Sequence, residues 1–199
     1  MFKVIAVTGL KRSGKDTICD FISKEYGYEH VKISSKLKSI LKLSFDLDDE
    51  DLESSRKDTI HPRLRVSPRT LMDFFGTHIF QYELNKIMPT VGRTFWIDDL
   101  LSKGSNGRPI VISDLRFHHE VEILKKYPDC LILRVNRQTI AQSEYSSEKE
   151  IASLVVDHEI ENNGSFQSLY DSVNTNINTR ANWELTVSWW PHELDTLGT

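Results

Sequence analysis

Cysteine is nearly absent: Cys19 and Cys130 are the two thiols in 199 residues. One falls in an expected helix and the other in an expected strand. They read as buried, reduced thiols and not as a disulfide framework, and they leave no cysteine spacing for a structural zinc site. No apolar run reaches the roughly twenty residues that a bilayer demands. The first residues read as a strand and not as a secretion signal, so the expected setting is the cytoplasm. A basic excess is missing too. Lys plus Arg number 25 against 29 Asp plus Glu, a net charge of −4, which gives no overall electrostatic footprint for nucleic acid. No internal repeat is visible.

What remains is an ordinary globular composition, 39% hydrophobic and 27% charged. The length suits one domain, or one domain with a lid. The informative stretch is Gly9 to Thr17, GLKRSGKDT. Before it, Lys3 to Thr8 is a short β-branched run with the look of a buried strand. After it, Ile18, Phe21 and Ile22 recur at helical spacing through Tyr26. Strand, glycine loop and helix in that order form a phosphate-binding loop. Glycines let the loop turn tightly and bring backbone N–H groups onto phosphate oxygens. The N-terminus of the helix adds partial positive charge, and Lys15 supplies a mobile point charge. Gly9, Lys11, Arg12, Ser13, Gly14, Lys15, Asp16 and Thr17 are therefore the candidate nucleotide-phosphate residues. One position departs from the usual pattern. Asp16 stands where a Ser or Thr hydroxyl normally holds magnesium, with Thr17 behind it. As a hard oxygen ligand Asp16 suits Mg²⁺. As an acid in a first helical turn it suits the helix dipole equally well.

Further along, Glu29 to Ile33 reads as a second strand, with Ser34 and Ser35 as helix caps. Lys36 to Leu43 reads as an amphipathic helix, its lysines either solvated or facing a second phosphate. The acidic run Phe45 to Glu53 has no calcium-loop glycine and reads as a solvated, mobile segment. Ser54 to Arg65 reads as a long connection. Ser67-Pro68 opens a strongly apolar helix, with Gly76 inside it for close packing. Arg69 sits in the first turn of that helix, where a cation opposes the dipole and so asks for an anion. Thr94 to Ser102 reads as another helix. Pro109 to Ser113 is an apolar strand ending in Asp114, with Arg116 two residues on. Ligands of open parallel sheets meet the carboxyl ends of the strands, which makes Asp114 a metal-side or water-side carboxylate. Cys130 to Val135 reads as a fourth strand carrying Arg134, with Arg137 just beyond. Val155 to Asn163 reads as a short last strand, and Ser165 as the cap of a final helix to about Ile177. The tail holds Trp183, Trp189 and Trp190, for which docking on the body is the expectation.

The loop GLKRSGKDT resembles that of the phage- and virus-type deoxynucleoside monophosphate (dNMP) kinases. SPRTLMDFFGT from Ser67, Phe95-Trp96, VISDLRFHHEVEIL from Val111 and DHEIENNGSFQSL from Asp157 resemble later blocks of the same family. The resemblance spans most of the chain and stops before the tail. It implies an α/β P-loop kinase fold: a parallel sheet with helices on both faces and a small lid and monophosphate-binding insertion. Residues 1–181 would form the kinase domain, with about 35–105 a helical insertion, about 137–154 a lid, and 182–199 a tail. It implies ATP and Mg²⁺ as cofactors and transfer of the γ-phosphoryl group of ATP to a dNMP. The expected partners are these small molecules, with no nucleic acid and no membrane; homodimerisation is left open. The cytoplasm would be the host's if the chain is viral.

Lys11, Arg12, Gly14, Asp16 and Thr17 match the family's nucleotide site, and Lys38 and Arg69 its monophosphate side. Leu37, Trp96 and the block containing Asp157, Glu159 and Asn162 are further matches toward the dNMP. An acceptor that is itself a phosphate is already ionised, so no general base is required; positive charge is. Lys15, Arg116 and Arg137 are the candidate catalytic cations, with Arg137 assigned to transition-state charge. Arg134 is assigned to the acceptor, and Asp16, Thr17 and Asp114 to the metal. A kinase of another phosphorylated metabolite, of the animal phosphomevalonate type, has a similar loop, and a nucleotide-binding regulatory ATPase is the more distant alternative. A base-stacking aromatic or an amide in the acceptor site would favour the nucleotide.

Overall fold

The computed structural model describes residues 2–89, 92–103, 107–138 and 150–187. Five strands form one sheet: β1 (Val4–Thr8), β2 (Glu29–Val31), β3 (Ile110–Ile112), β4 (Cys130–Asn136) and β5 (His158–Glu161). Their order is β2-β3-β1-β4-β5 and every pairing is parallel. Parallel strands need crossovers, and the helices that supply them cover both faces, which is why the strands are apolar on both sides. Along β1, Val4 and Ala6 join one core cluster while Ile5 and Val7 join the other; Ile112 and Val111 of β3 divide in the same way.

Helix α1 (Lys15–Tyr26) and the last helix, α8 (Phe166–Val187), cover one face through Ile18, Ile22, Leu169 and Val173. The other face carries an excursion between β2 and β3 whose described elements are all helices. It comprises α2 (Ser35–Phe45), α3 (Asp49–Glu53), α4 (Pro68–Asp73), a π-helical stretch (Phe74–Glu83), α5 (Leu84–Ile87) and α6 (Phe95–Lys103). Leu37, Leu41, Leu52, Met72 and Trp96 from this excursion pack into that core together with α7 (His118–Leu124). Ser67 opens α4 as expected, its Oγ accepting from Thr70 N at 3.1 Å. Ser165 caps α8 through Ser168 N at 3.2 Å. At Gly76 an added Cβ would lie 2.6 Å from Leu37 Cδ2, so the glycine lets α2 and the π-helical stretch touch. Trp96 Nε1 then donates to the Gly76 carbonyl at 2.8 Å.

Two expectations are corrected. The acidic run is not a solvated, mobile segment. Asp48 and Asp51 exchange side-chain-to-backbone hydrogen bonds at 2.8 and 3.2 Å and close a capping box, so residues 49–53 are a helix whose Leu52 is fully buried. Competition by Asp side chains for backbone groups, which disfavours helix interiors, here starts a helix. The final helix does not stop near Ile177 but continues to Val187, so residue 181 falls inside it. The core of the expected lid, 139–149, and the tail beyond Val187, with Trp189 and Trp190, lie outside the described residues, as does the side chain of Trp183. No described helix is long and apolar enough to cross a membrane.

Candidate active site

The phosphate loop leaves β1 at the centre of the sheet and feeds α1, so it stands at the carboxyl edge where the chain reverses direction across the sheet. Its conformation demands glycine at two points. Gly9 has φ 143°, and a Cβ there would lie 2.5 Å from the Val135 carbonyl oxygen. Gly14 has φ 106°, and a Cβ there would collide with Asn162 Nδ2. Arg12 also takes a left-handed conformation, at φ 68°. Lys15 Nζ donates to the Gly9 and Leu10 carbonyls at 2.7 Å each, folded onto its own loop. Asn162 Nδ2 braces the loop from β5's end by donating to Ser13 O at 2.7 Å.

Two clefts meet at this loop. The larger-walled one, about 230 Å³, lies between the loop and the helical excursion; the other, about 370 Å³, lies on the far side toward α8. Arg12, Lys15 and Asp16 line both. The second cleft adds Gly14, Thr17, Arg137 and Asn162. The first adds Lys11, Lys32, Lys38, Lys57, Arg69 and Arg116 among its cations, with Leu37, Leu52, Met72, Trp96 and Phe117 as apolar wall. Eight basic side chains against five acidic ones line it, a cationic hollow in a chain of net charge −4.

Asp58 joins two cations of the first cleft's wall from opposite sides. Its carboxylate lies 2.7 Å from Lys11 Nζ on the loop and 3.2 Å from Arg69 Nε on α4. Burial works against its charge, but the two cations outweigh burial and hold its carboxyl below the usual range. Lys38 pairs with Glu53 at 2.6 Å. Lys57 is pushed down by burial and by the neighbouring Arg69 and Lys38, a like-charge crowding that an incoming anion would relieve. Glu120, fully buried, is pushed up by burial to about 8. Its Oε2 accepts from Arg116 N and Phe117 N at 2.8 and 3.0 Å and shapes the turn after β3.

Partial burial raises the Asp16 carboxyl, but Lys32, 3.1 Å away, with Ser113 and His30, more than offsets this and holds it below the usual range. Asp114 spends one acceptor position on each oxygen for Ile33 N and Ser34 N, at 2.7 and 3.0 Å. Ser113 Oγ is buried and close enough to the Asp16 carboxylate to favour its charge. No group of three or more His, Cys, Asp or Glu residues among those described forms a cage. Two carboxylates and a buried hydroxyl fit Mg²⁺, which keeps several waters and takes its other oxygens from phosphates. Thr17 lies on the second cleft.

Not every expected residue comes to the cavity. Arg134 turns to the sheet edge, pairing with Glu159 at 2.6 Å and donating to the Ile151 and Leu154 carbonyls. Asp157 accepts from Ile132 N at 2.7 Å and fastens the approach to β5. Arg134, Glu159 and Asp157 line neither cleft, and Asn162 lines the second cleft and not the first. A cation at a strand end reads the same in sequence whether it faces a ligand or the next strand's glutamate. Conversely, Asp58, Lys57, Leu52, Glu53 and Gln81 were not anticipated at the site. For Gln81 the signal was a polar residue recurring every fourth position from Asp73 through Thr77, masked by the aromatic run around it.

Comparison with known proteins bears on the fold and on the resemblance. The family model for deoxynucleotide monophosphate kinase matches residues 3–61, which include the loop, α1, α2 and Asp58. A protein of Acanthamoeba polyphaga mimivirus named "Putative deoxynucleotide monophosphate kinase" is 28% identical over 182 residues, covering 85% of this chain and 93% of the viral one. Among solved structures, a dephospho-CoA kinase from Campylobacter jejuni superposes with a TM-score of 0.50 at 12% identity, over 92% of this chain and 100% of that one. The resemblance read from the sequence is borne out, and so is the P-loop kinase fold.

Proposed function

We propose that this chain, a P-loop phosphotransferase related to the deoxynucleotide monophosphate kinases, transfers the γ-phosphoryl group of ATP to the phosphate of a dNMP. The observation that carries this reading is the meeting of two clefts at Arg12, Lys15 and Asp16. A single hydrolytic site needs one phosphate-binding cleft. Phosphoryl transfer between two polyanions needs two that share their cations.

The donor phosphates would lie on the loop N–H groups, with Arg137 and Thr17 alongside. The acceptor phosphate would lie between Lys11, Lys38 and Arg69, and Arg116 would face it from the end of β3. An oxygen of the acceptor phosphate attacks the γ-phosphorus. The bond from that phosphorus to the β,γ-bridging oxygen breaks, and ADP departs with that oxygen. The attacking oxygen is already ionised, so no side chain need remove a proton. Lys15 leaves the Gly9 and Leu10 carbonyls to follow the moving charge, and Arg12 neutralises repulsion between the two substrates. Asp58 holds Lys11 and Arg69 in position across the gap, which saves ordering them when substrate arrives. Mg²⁺, when bound near Asp16, Asp114 and Ser113, would supply charge neutralisation of the donor phosphates. The test is an ADP-release assay over a panel of dNMPs, NMPs and phosphomevalonate. Release dependent on dNMPs supports the reading; release with phosphomevalonate alone overturns it.

A further inference from the structure

Gln81 is 2% exposed and lies on the wall of the first cleft. Its Oε1 is buried and has no hydrogen-bond partner among the described residues. A buried amide oxygen left unpaired is rare and costly, and asks for an explanation. The backbone supplies one. Gln81 sits in the π-helical stretch, Phe74–Glu83. Such stretches cluster at functional sites, and this one, together with the end of α4, presents Asp73, Thr77 and Gln81 to the same cavity. The surrounding residues Phe74, Phe75, Ile79 and Phe80 are apolar, so packing alone would favour a hydrophobic side chain at 81.

The cavity is divided chemically. Cations gather around the loop and Arg69, while Leu37, Met72, Trp96 and Phe117 give an apolar wall, and Gln81 adds an amide. We propose that Gln81 reads the base of the acceptor, pairing its amide with the donor and acceptor that every nucleobase presents side by side. This rests on the reading of the first cleft as the monophosphate site. A side-chain amide offers one acceptor and two donors, and matches a base edge at two points as it does in nucleic-acid readout. A phosphorylated metabolite carrying only alkyl and hydroxyl groups cannot meet both points. A half-turn of the amide exchanges its oxygen and nitrogen, and Oε1 gives up no hydrogen bond to a described residue in that turn. Keto and amino bases therefore both find a partner. Gln81 separates bases from non-bases more strongly than one base from another.

The experiment is calorimetric binding of dTMP, dCMP, dGMP, 2-deoxyribose 5-phosphate and ATP to wild type, Gln81→Leu and Gln81→Glu, beside the ADP-release assay. Wild type is expected to bind each dNMP at least about tenfold tighter than the sugar phosphate. Gln81→Leu should erase on the order of ten- to a hundredfold of dNMP affinity, leaving sugar phosphate and ATP unchanged. Gln81→Glu, acceptor-only when ionised, should raise dGMP relative to dTMP, because guanine alone offers two adjacent donors; this arm carries the test should the leucine variant not fold. A leucine variant that retains the dNMP preference, or loses the sugar phosphate equally, overturns the role of Gln81 while dNMP kinase activity stands. An unchanged dGMP-to-dTMP ratio in the glutamate variant overturns it as well. A wild type with no dNMP-dependent ADP release overturns the kinase reading and this inference together.

Discussion

Replacing Gly14 by alanine should damage the loop by two separable routes. Gly14 has φ 106° and ψ 14°, a conformation that L-residues rarely adopt, and holding alanine there costs about 1–3 kcal/mol. The new Cβ would also meet Asn162 Nδ2, which is hydrogen-bonded to Ser13 O at 2.7 Å. Asn162 is a flexible side chain and can swing away, but doing so gives up that bond, a loss of about 0.5–1.5 kcal/mol. The sum is on the order of 2–4 kcal/mol, or about 4–16 °C in Tm for a chain of this size. The two routes separate in a double-mutant cycle. Asn162→Ala alone loses the brace; the double variant should cost less than the sum of the singles by about 1 kcal/mol, because the hydrogen bond to Ser13 O, lost in both singles, is lost only once. Urea unfolding of the four proteins, with ATP affinity measured beside it, reads both quantities. Full additivity, or a Gly14→Ala protein of unchanged stability and ATP affinity, would refute the reasoning.

Arg69→Lys should raise KM for the monophosphate and leave KM for ATP nearly unchanged, since an ammonium cannot copy a guanidinium fork; the loss in kcat/KM should be roughly thirty- to a hundredfold. A rise in ATP KM instead would move Arg69 to the donor side. Asp16→Ser should keep transfer and shift the magnesium optimum, read by titrating Mg²⁺ at fixed ATP; a dead variant with unaltered ATP affinity and Mg²⁺ dependence would remove Asp16 from the metal. Glu120 has a folded pKa of about 8 against an ordinary 4.5, so the folded state holds a proton that the unfolded state gives up. Its contribution is complete below about pH 4.5 and is lost as pH rises to about 8. Glu120→Gln cannot ionise, so between those values its stability should gain on wild type by on the order of 1 kcal/mol per pH unit. A pH-independent difference in urea midpoints would contradict the buried, protonated acid.

The parts legible in the sequence are those whose signals are local. A β-branched run, two glycines and a helical period fix β1, the loop and α1 within Val4–Tyr26, and parallel strands buried on both faces read as short apolar runs. Asp114 and Arg116 were findable because a strand's carboxyl end is a position defined by sequence. The first cleft was less legible because its wall is assembled from α2, α3, α4 and the π-helical stretch, whose relative placement depends on packing at Leu37, Gly76 and Trp96. The capping box at Asp48 and Asp51 was written in the sequence but reads as an acidic surface run unless Leu52 is known to be buried. Gln81 stood at the end of an aromatic run whose expected face assumed an α-helical period. Arg134 and Glu159 were indistinguishable from ligand-binding residues until the register of β4 and β5 placed them on facing strands.

The central claim is tested most directly by following the γ-phosphoryl group. ATP labelled at that position is incubated with the protein and each dNMP in turn, and the products are separated. The account predicts label in the corresponding dNDP, in equal amount to the ADP formed, and a loss of more than about a hundredfold in Lys15→Ala, where the charge that follows the transferring group is gone. Label recovered as inorganic phosphate, whichever dNMP is present, would contradict it and make the chain a nucleotide hydrolase.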